Sequence, residues 1–195
     1  IFFFFFLLEK ELSTKGYIDL YEYHLNLMQF FLDIFYTTER AASLINKAMH
    51  DNLRIDFSIK ENMIIDIEKD THSYEGALIS SFLRYHLQER NVDYSFETVM
   101  SHPSKIEEIK EAKQKGYKTY LYFICIDDPE VNISRVENRV EKGGHDVDHD
   151  KIALRYFDTL KNLISMIEAV DKSFLFDNSS DQFKLIAKVL HNELT

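Results

Sequence analysis

Apolar and polar positions divide the chain into a diffuse first third and a sharply patterned remainder. Residues 9–36 are rich in Leu, Phe and Tyr but show no clean period. Ala41, Leu44, Ile45, Ala48 and Met49 then fall at helical spacing behind the cap candidates Thr37 and Thr38. Residues 51–72 are polar and mixed, and predict a loop that holds a short strand, Met63–Ile67.

From Ser73 the periods become legible. Ser73 can cap a helix whose apolar face carries Ala77, Leu78, Phe82 and Tyr85 and which ends near Arg90. Tyr94–Val99 reads as a strand. His102-Pro103-Ser104 opens a helix to Lys115, with Gly116 as its stop. Thr119–Ile126 has seven apolar residues in eight, the pattern of a parallel central strand buried on both faces, with Tyr120 and Tyr122 in the core. Asp128-Pro129-Glu130 combines a cap, an N1 proline and an acidic first turn, and predicts a helix running to Gly143-Gly144. Asp148 caps the next helix, whose stripe is Ile152, Tyr156, Leu160, Leu163 and Ile167. Ser173–Phe176 is a short strand. Ser180 precedes a last predicted helix with Phe183, Ile186, Ala187, Leu190 and Leu194 inward. Strands alternating with helices predict an α/β fold, a parallel sheet flanked by helices. Ligands of such sheets sit beyond the carboxyl ends of the strands.

Composition narrows the classes. At 195 residues, 45% hydrophobic and 14% aromatic, the chain can fill a core. A formal net charge of −10 repels phosphate backbones and argues against nucleic acid as a partner. The single cysteine, Cys125, excludes an intramolecular disulfide and a thiolate zinc cage, and reads as a small buried hydrophobe. Low cysteine use fits a reducing, cytoplasmic setting. Ile1–Leu8 is wholly apolar, with five consecutive phenylalanines, yet far short of the ~20 residues that span a bilayer. It lacks a basic n-region and a cleavage site, so neither a membrane span nor a signal peptide is expected. We read it as a truncated or damaged start, the remnant of an N-terminal strand.

Several residues could carry chemistry. Glu97 and Thr98 stand at the carboxyl end of a predicted strand, where a carboxylate can accept hydrogen bonds from sugar hydroxyls; a solvated strand end is the alternative. Arg135 and Arg139 are four apart on one helical face and could clamp a phosphate, or pair with Glu137 and Glu141 on a surface helix. Arg155 is a third candidate, on the next helix. Gly143-Gly144 between the two helices suits a hinged lid. The His145–Asp150 run matches no hard-metal loop, and Asp148 and Asp150 are accounted for by the helix start, so no metal site is assigned. Asp177-Asn178-Ser179-Ser180 reads as a turn and cap.

Taken in order, these pieces resemble the zeta toxin family. They are Ser95-Phe96-Glu97-Thr98-Val99, Ser101-His102-Pro103-Ser104-Lys105, Gly116-Tyr117, and Arg135-Val136 with Arg139-Val140. Gly143-Gly144-His145-Asp146-Val147, Arg155-Tyr156 and Phe176-Asp177-Asn178-Ser179 complete the set. The resemblance covers about residues 73–190. It implies a P-loop kinase fold whose members phosphorylate UDP-N-acetylglucosamine with ATP and Mg2+, and an antitoxin protein as a further partner. It also implies that Glu97 and Thr98 lie on the substrate side. Arg139 and Arg155 would reach ATP phosphates from the lid, which Arg135 and His145 would support. Residues 73–195 would then be the C-terminal part of the kinase domain, and residues 1–72 a strand remnant plus a mostly helical insertion. The sequence departs from the family in three places. No Gly-x-x-x-x-Gly-Lys-Ser/Thr occurs in it. Phe4–Leu8 stand where an Asp-bearing strand end belongs, and Asp148 stands where a proline is usual. The expectation is a kinase that is inactive as this chain; the alternative is a degenerate, non-catalytic binding domain of the same fold.

Overall fold

The computed structural model describes all residues except 4, 68–70, 127, 142–146, 180–181, 191–192 and 195, and omits the side chains of residues 3, 5, 6, 139 and 194. The chain forms two compact units, Ile1–Glu97 and Thr98–Thr195.

In the first unit, β1 (Phe2–Phe3) pairs in parallel with β5 (Ser95–Phe96). Helix α1 (Phe5–Lys15) stops at Gly16, whose φ of +79° a side chain would disfavour. Then come β2 (Tyr17–Asp19), a 3-10 turn at Leu20–Tyr23, α2 (Gln29–Tyr36) and α3 (Glu39–His50), the last capped by the Thr38 hydroxyl as expected. The segment read as a loop with one strand is a hairpin, β3 (Phe57–Lys60) and β4 (Met63–Asp66), and β4 also pairs with β2. Its two-residue turn puts Glu61 and Asn62 at φ +50° and +62°. Such turns usually announce themselves through glycine, which this one lacks.

Asn62 is tied down further. Its Oδ1 accepts from Leu27 N at 2.8 Å, its Nδ2 donates to Leu25 O at 3.0 Å, and its carbonyl accepts from Leu20 N at 3.0 Å. One buried amide therefore fixes the whole 20–27 connection. Helix α4 (Ser73–Glu89) is the axis of this unit, with Leu78, Ile79, Phe82, Leu83 and Leu87 in the core beside Leu8, Leu12, Leu32 and Phe35. Ser80 and Ser81 are buried too, their small side chains permitting close packing on more than one face. The residue that caps α4 is His72 rather than Ser73; Glu75 accepts from His72 N at 3.4 Å and Asp56 N at 3.0 Å.

The second unit begins with α5 (Ser104–Gln114), closed at Gly116 with φ +88°. Strand β6 (Tyr120–Cys125) follows, then α6 (Pro129–Glu141), α7 (His149–Ala169), β7 (Lys172–Asp177), β8 (Lys184–Leu190) and β9 (Glu193–Leu194). β6 and β7 are parallel; β7–β8 and β8–β9 are antiparallel. The fold is therefore mixed α/β, and the parallel sheet expected from the sequence is parallel only at β6–β7, with antiparallel strands added beyond it.

Two further readings change. The predicted C-terminal helix is a pair of strands, because 184–190 finds the free edge of β7, and backbone pairing there outweighs a periodicity that suits either element. Nor is β6 buried on both faces. Leu121 and Phe123 pack on Met100, Ile106, Met166, Ala169 and Val170 beneath α5 and α7. Tyr120, Tyr122 and Ile124 instead face outward, with Tyr122 64% exposed and stacked on Phe174. The alternation of a one-faced strand was hidden because both faces carry apolar residues. Cys125 is half-buried, its thiol donating to Phe176 O at 3.1 Å.

Candidate functional site

The carboxyl ends of the parallel pair β6–β7 are where this topology leaves backbone groups free to meet a ligand. Asn178 N donates to Cys125 O at 2.9 Å and so clips the two strand ends together. The Asp128 carboxylate accepts from Glu130 N at 2.9 Å and starts α6 as the sequence predicts. From α6, Arg135 reaches back to donate from Nη2 to Asn178 O at 2.9 Å. From α7, the Tyr156 hydroxyl donates to Ile126 O at 3.0 Å. Both helices are thus anchored on the strand ends. They also meet farther along, where His149 Nε2 lies 3.3 Å from Glu137 Oε1. Asp177 is held below the usual carboxylate range by the Ser179 side chain and by Ser179 N, which donates at 2.9 Å.

The predicted residues distribute as follows. Arg135 is exposed at the strand ends, bonds to a carbonyl and forms no ion pair among the described residues; Glu137 lies against His149. Arg155 is half-buried on α7, one residue before Tyr156, and its side chain makes no hydrogen bond or ion pair among the described residues. The side chain of Arg139 and the whole of His145 lie outside the described residues, as does the Gly143-Gly144 hinge. Asp148 caps α7 by accepting from Lys151 N at 3.1 Å.

Glu97 and Thr98 fall on either side of the boundary between the two units. The expected strand 94–99 is reduced to Ser95–Phe96, because a turn follows at once. In that turn the Thr98 Oγ1 accepts from Met100 N at 3.1 Å, and Met100 takes φ +59°. Glu97 is exposed, with its carboxyl raised above the ordinary value by partial desolvation, and it forms no ion pair among the described residues. Sequence reasoning missed the part played by Asn178 as a carbonyl anchor, and by Thr159 and Asn162, whose partners are 60 and 62 residues away. The Tyr156 hydroxyl was hidden inside an apolar stripe. None of these contacts leaves a local signal.

Two helices, α6 and α7, pinned by Arg135 and Tyr156 to the carboxyl ends of parallel strands place this chain among mixed α/β proteins. The chain belongs to the zeta toxin family, whose model matches residues 68–187. An uncharacterized protein of Haemophilus influenzae is 32% identical over 68 residues, covering 35% of this chain and 49% of that protein. The match thus spans about half the length of that relative. No solved structure matches.

No group of three His, Cys, Asp or Glu side chains capable of holding a metal occurs among the described residues, and the phosphate-loop pattern that would supply a magnesium hydroxyl is absent from the sequence. No helix of the described residues is long and apolar enough to cross a membrane.

Proposed function

We propose that this chain carries the substrate-binding turn and the arginine-bearing helix pair of an ATP-dependent kinase whose substrate is a small hydroxylated molecule, a nucleotide sugar such as UDP-N-acetylglucosamine. The observation that carries the reading is the Arg135–Asn178 bond at the strand ends, within the segment that the family model matches. It commits one guanidinium nitrogen and leaves other N–H groups directed elsewhere.

In this reading Glu97 accepts hydrogen bonds from sugar hydroxyls, and Thr98 is a second substrate residue. Arg139 and Arg155 contact the ATP phosphates; Arg135 and His145 hold the helices that present them. Phosphoryl transfer rests on positioning and charge neutralisation, and guanidinium groups supply part of both. The sequence holds no phosphate-loop lysine, and we propose that residues 1–195 alone do not turn over ATP. The same missing pattern favours a second reading, a non-catalytic binding domain. A cytoplasmic setting and an antitoxin partner belong to the proposal on family grounds alone.

Titration calorimetry of the purified chain with UDP-N-acetylglucosamine and with ATP tests it. Binding of the sugar nucleotide that Glu97→Ala weakens at least about tenfold, the loss of a charged hydrogen bond, is expected, with an unchanged melting temperature. Arg155→Ala should weaken ATP and spare the sugar nucleotide. Loss of thermal stability in Glu97→Ala with unaltered affinity would mean that Glu97 is structural. Turnover by the chain that Glu97→Gln abolishes would overturn the proposed inactivity.

A further inference from the structure

The turn that follows Glu97 is built in a way its own sequence does not explain. Thr98, Val99 and Met100 lie outside regular structure, and Met100 takes a left-handed backbone, uncommon for a residue with a side chain. Four contacts hold it there. The Met100 side chain, 4% exposed, is packed with Ile106, Met166, Ala169 and Val170. Met100 N donates to the Thr98 hydroxyl at 3.1 Å. Asn162 Nδ2 donates to Met100 O at 2.9 Å. The Thr159 hydroxyl lies 2.6 Å from Val99 O.

Thr159 and Asn162 are three residues apart on α7 and so share one face of that helix. The Thr159 hydroxyl is also 2.6 Å from Arg155 O, one turn back. A single hydroxyl proton serves both carbonyls, so release from Val99 leaves the donor satisfied within its own helix. Asn162 has no such fallback and is the firmer anchor. The outcome is a Thr98 hydroxyl whose oxygen is already engaged by Met100 N. Its proton is left to donate outward, toward an acceptor oxygen of a ligand.

We propose that Thr159 and Asn162 are positioning residues for substrate binding: from α7, the helix that carries Arg155, they fix the Thr98–Met100 turn and so aim the Thr98 hydroxyl. The inference rests on the reading of Thr98 as a substrate residue. It adds that the helix bearing a phosphate-contact arginine also sets the substrate turn, so the two halves of the site are registered by one rigid element.

The test uses the full 195-residue chain, with Asn162→Asp, which keeps the shape and removes the donor, Asn162→Ala, Thr159→Val and Thr159→Ser. Amide hydrogen exchange at residues 98–102 and calorimetric affinity for UDP-N-acetylglucosamine and for ATP are the readouts. We expect Asn162→Asp and Asn162→Ala, by releasing Met100 O and loosening the turn, to speed exchange of the Met100 amide, which donates to the Thr98 hydroxyl, about tenfold or more. Sugar-nucleotide affinity should fall by a similar factor while ATP affinity and the melting temperature hold. Thr159→Val should have a smaller effect of the same kind, and Thr159→Ser should behave as the wild type. Unchanged exchange at 98–102, or faster exchange with full sugar-nucleotide affinity, would overturn the positioning role. A wild-type chain that binds no sugar nucleotide, with exchange still responding to Asn162→Asp, would overturn the substrate reading of Thr98 and leave the anchoring standing.

Discussion

Acidification is expected to destabilise the first unit through one residue, His86. It lies on α4 and is 4% exposed. Its ring meets those of Phe82, Tyr85 and Phe31 edge-on, at centroid distances of 4.6, 5.1 and 5.6 Å. Nε2 has no hydrogen-bond partner among the described residues, and Nδ1 lies 3.4 Å from the Arg90 guanidinium. Burial first, then the Arg90 charge, lower its pKa from 6.5 to about 4. The folded value lies below the unfolded one, so the folded state disfavours the proton. The stability tied to neutral His86 is complete above the unfolded pKa and is lost as pH falls from 6.5 toward 4. At about 1.4 kcal/mol for each pH unit crossed between the two values, the loss is about 1 kcal/mol at pH 5.5 and about 3 kcal/mol near pH 4. Glu75 works in the opposite sense: burial raises its carboxyl, so its protonation at low pH favours the folded state. The His86 contribution must therefore be isolated against a variant. Urea unfolding followed by far-ultraviolet circular dichroism, at pH 7.5, 5.5 and 4.5, should show the wild type losing stability that His86→Leu does not lose. Parallel pH dependence in the two proteins would refute the reasoning.

Two further outcomes follow from the packing. Asn62→Ala removes the amide that satisfies Leu25 O and Leu27 N, both in the core connection, and should cost about 1–3 kcal/mol in urea unfolding. In β6, Phe123→Ala should cost about 2–3 kcal/mol, below the range of a fully buried Phe because the ring is partly exposed, whereas the neighbouring Tyr122→Ser, on the exposed face, should cost much less; equal costs would contradict a one-faced strand.

The family resemblance was legible because each of its pieces is a short run of sequence and their order is kept, and several helix boundaries because their causes are local. Thr38, Asp128-Pro129 and Asp148 cap or start helices with groups at most three residues away, and Gly116 stops one through a backbone conformation other residues resist. The candidate site was legible only as residue types. Which atoms Arg135 would touch could not be read, because Asn178 is 43 residues away and offers a backbone carbonyl that every residue possesses.

Tertiary structure alone decided the rest. Residues 184–190 carry a pattern that suits helix or strand, and the open edge of β7 selected strand. Tyr120 and Tyr122 are as apolar in pattern as Leu121 and Phe123, and only the placement of α5 and α7 on one side separated core from surface. The hairpin turn at Glu61-Asn62 bears no glycine, and the side-chain bonds of Asn62 to Leu25 and Leu27 hold what local preference would not announce. Caps and stops act over a few residues and are written in the chain. Edges, faces and long-range carbonyl partners exist only once distant segments have met.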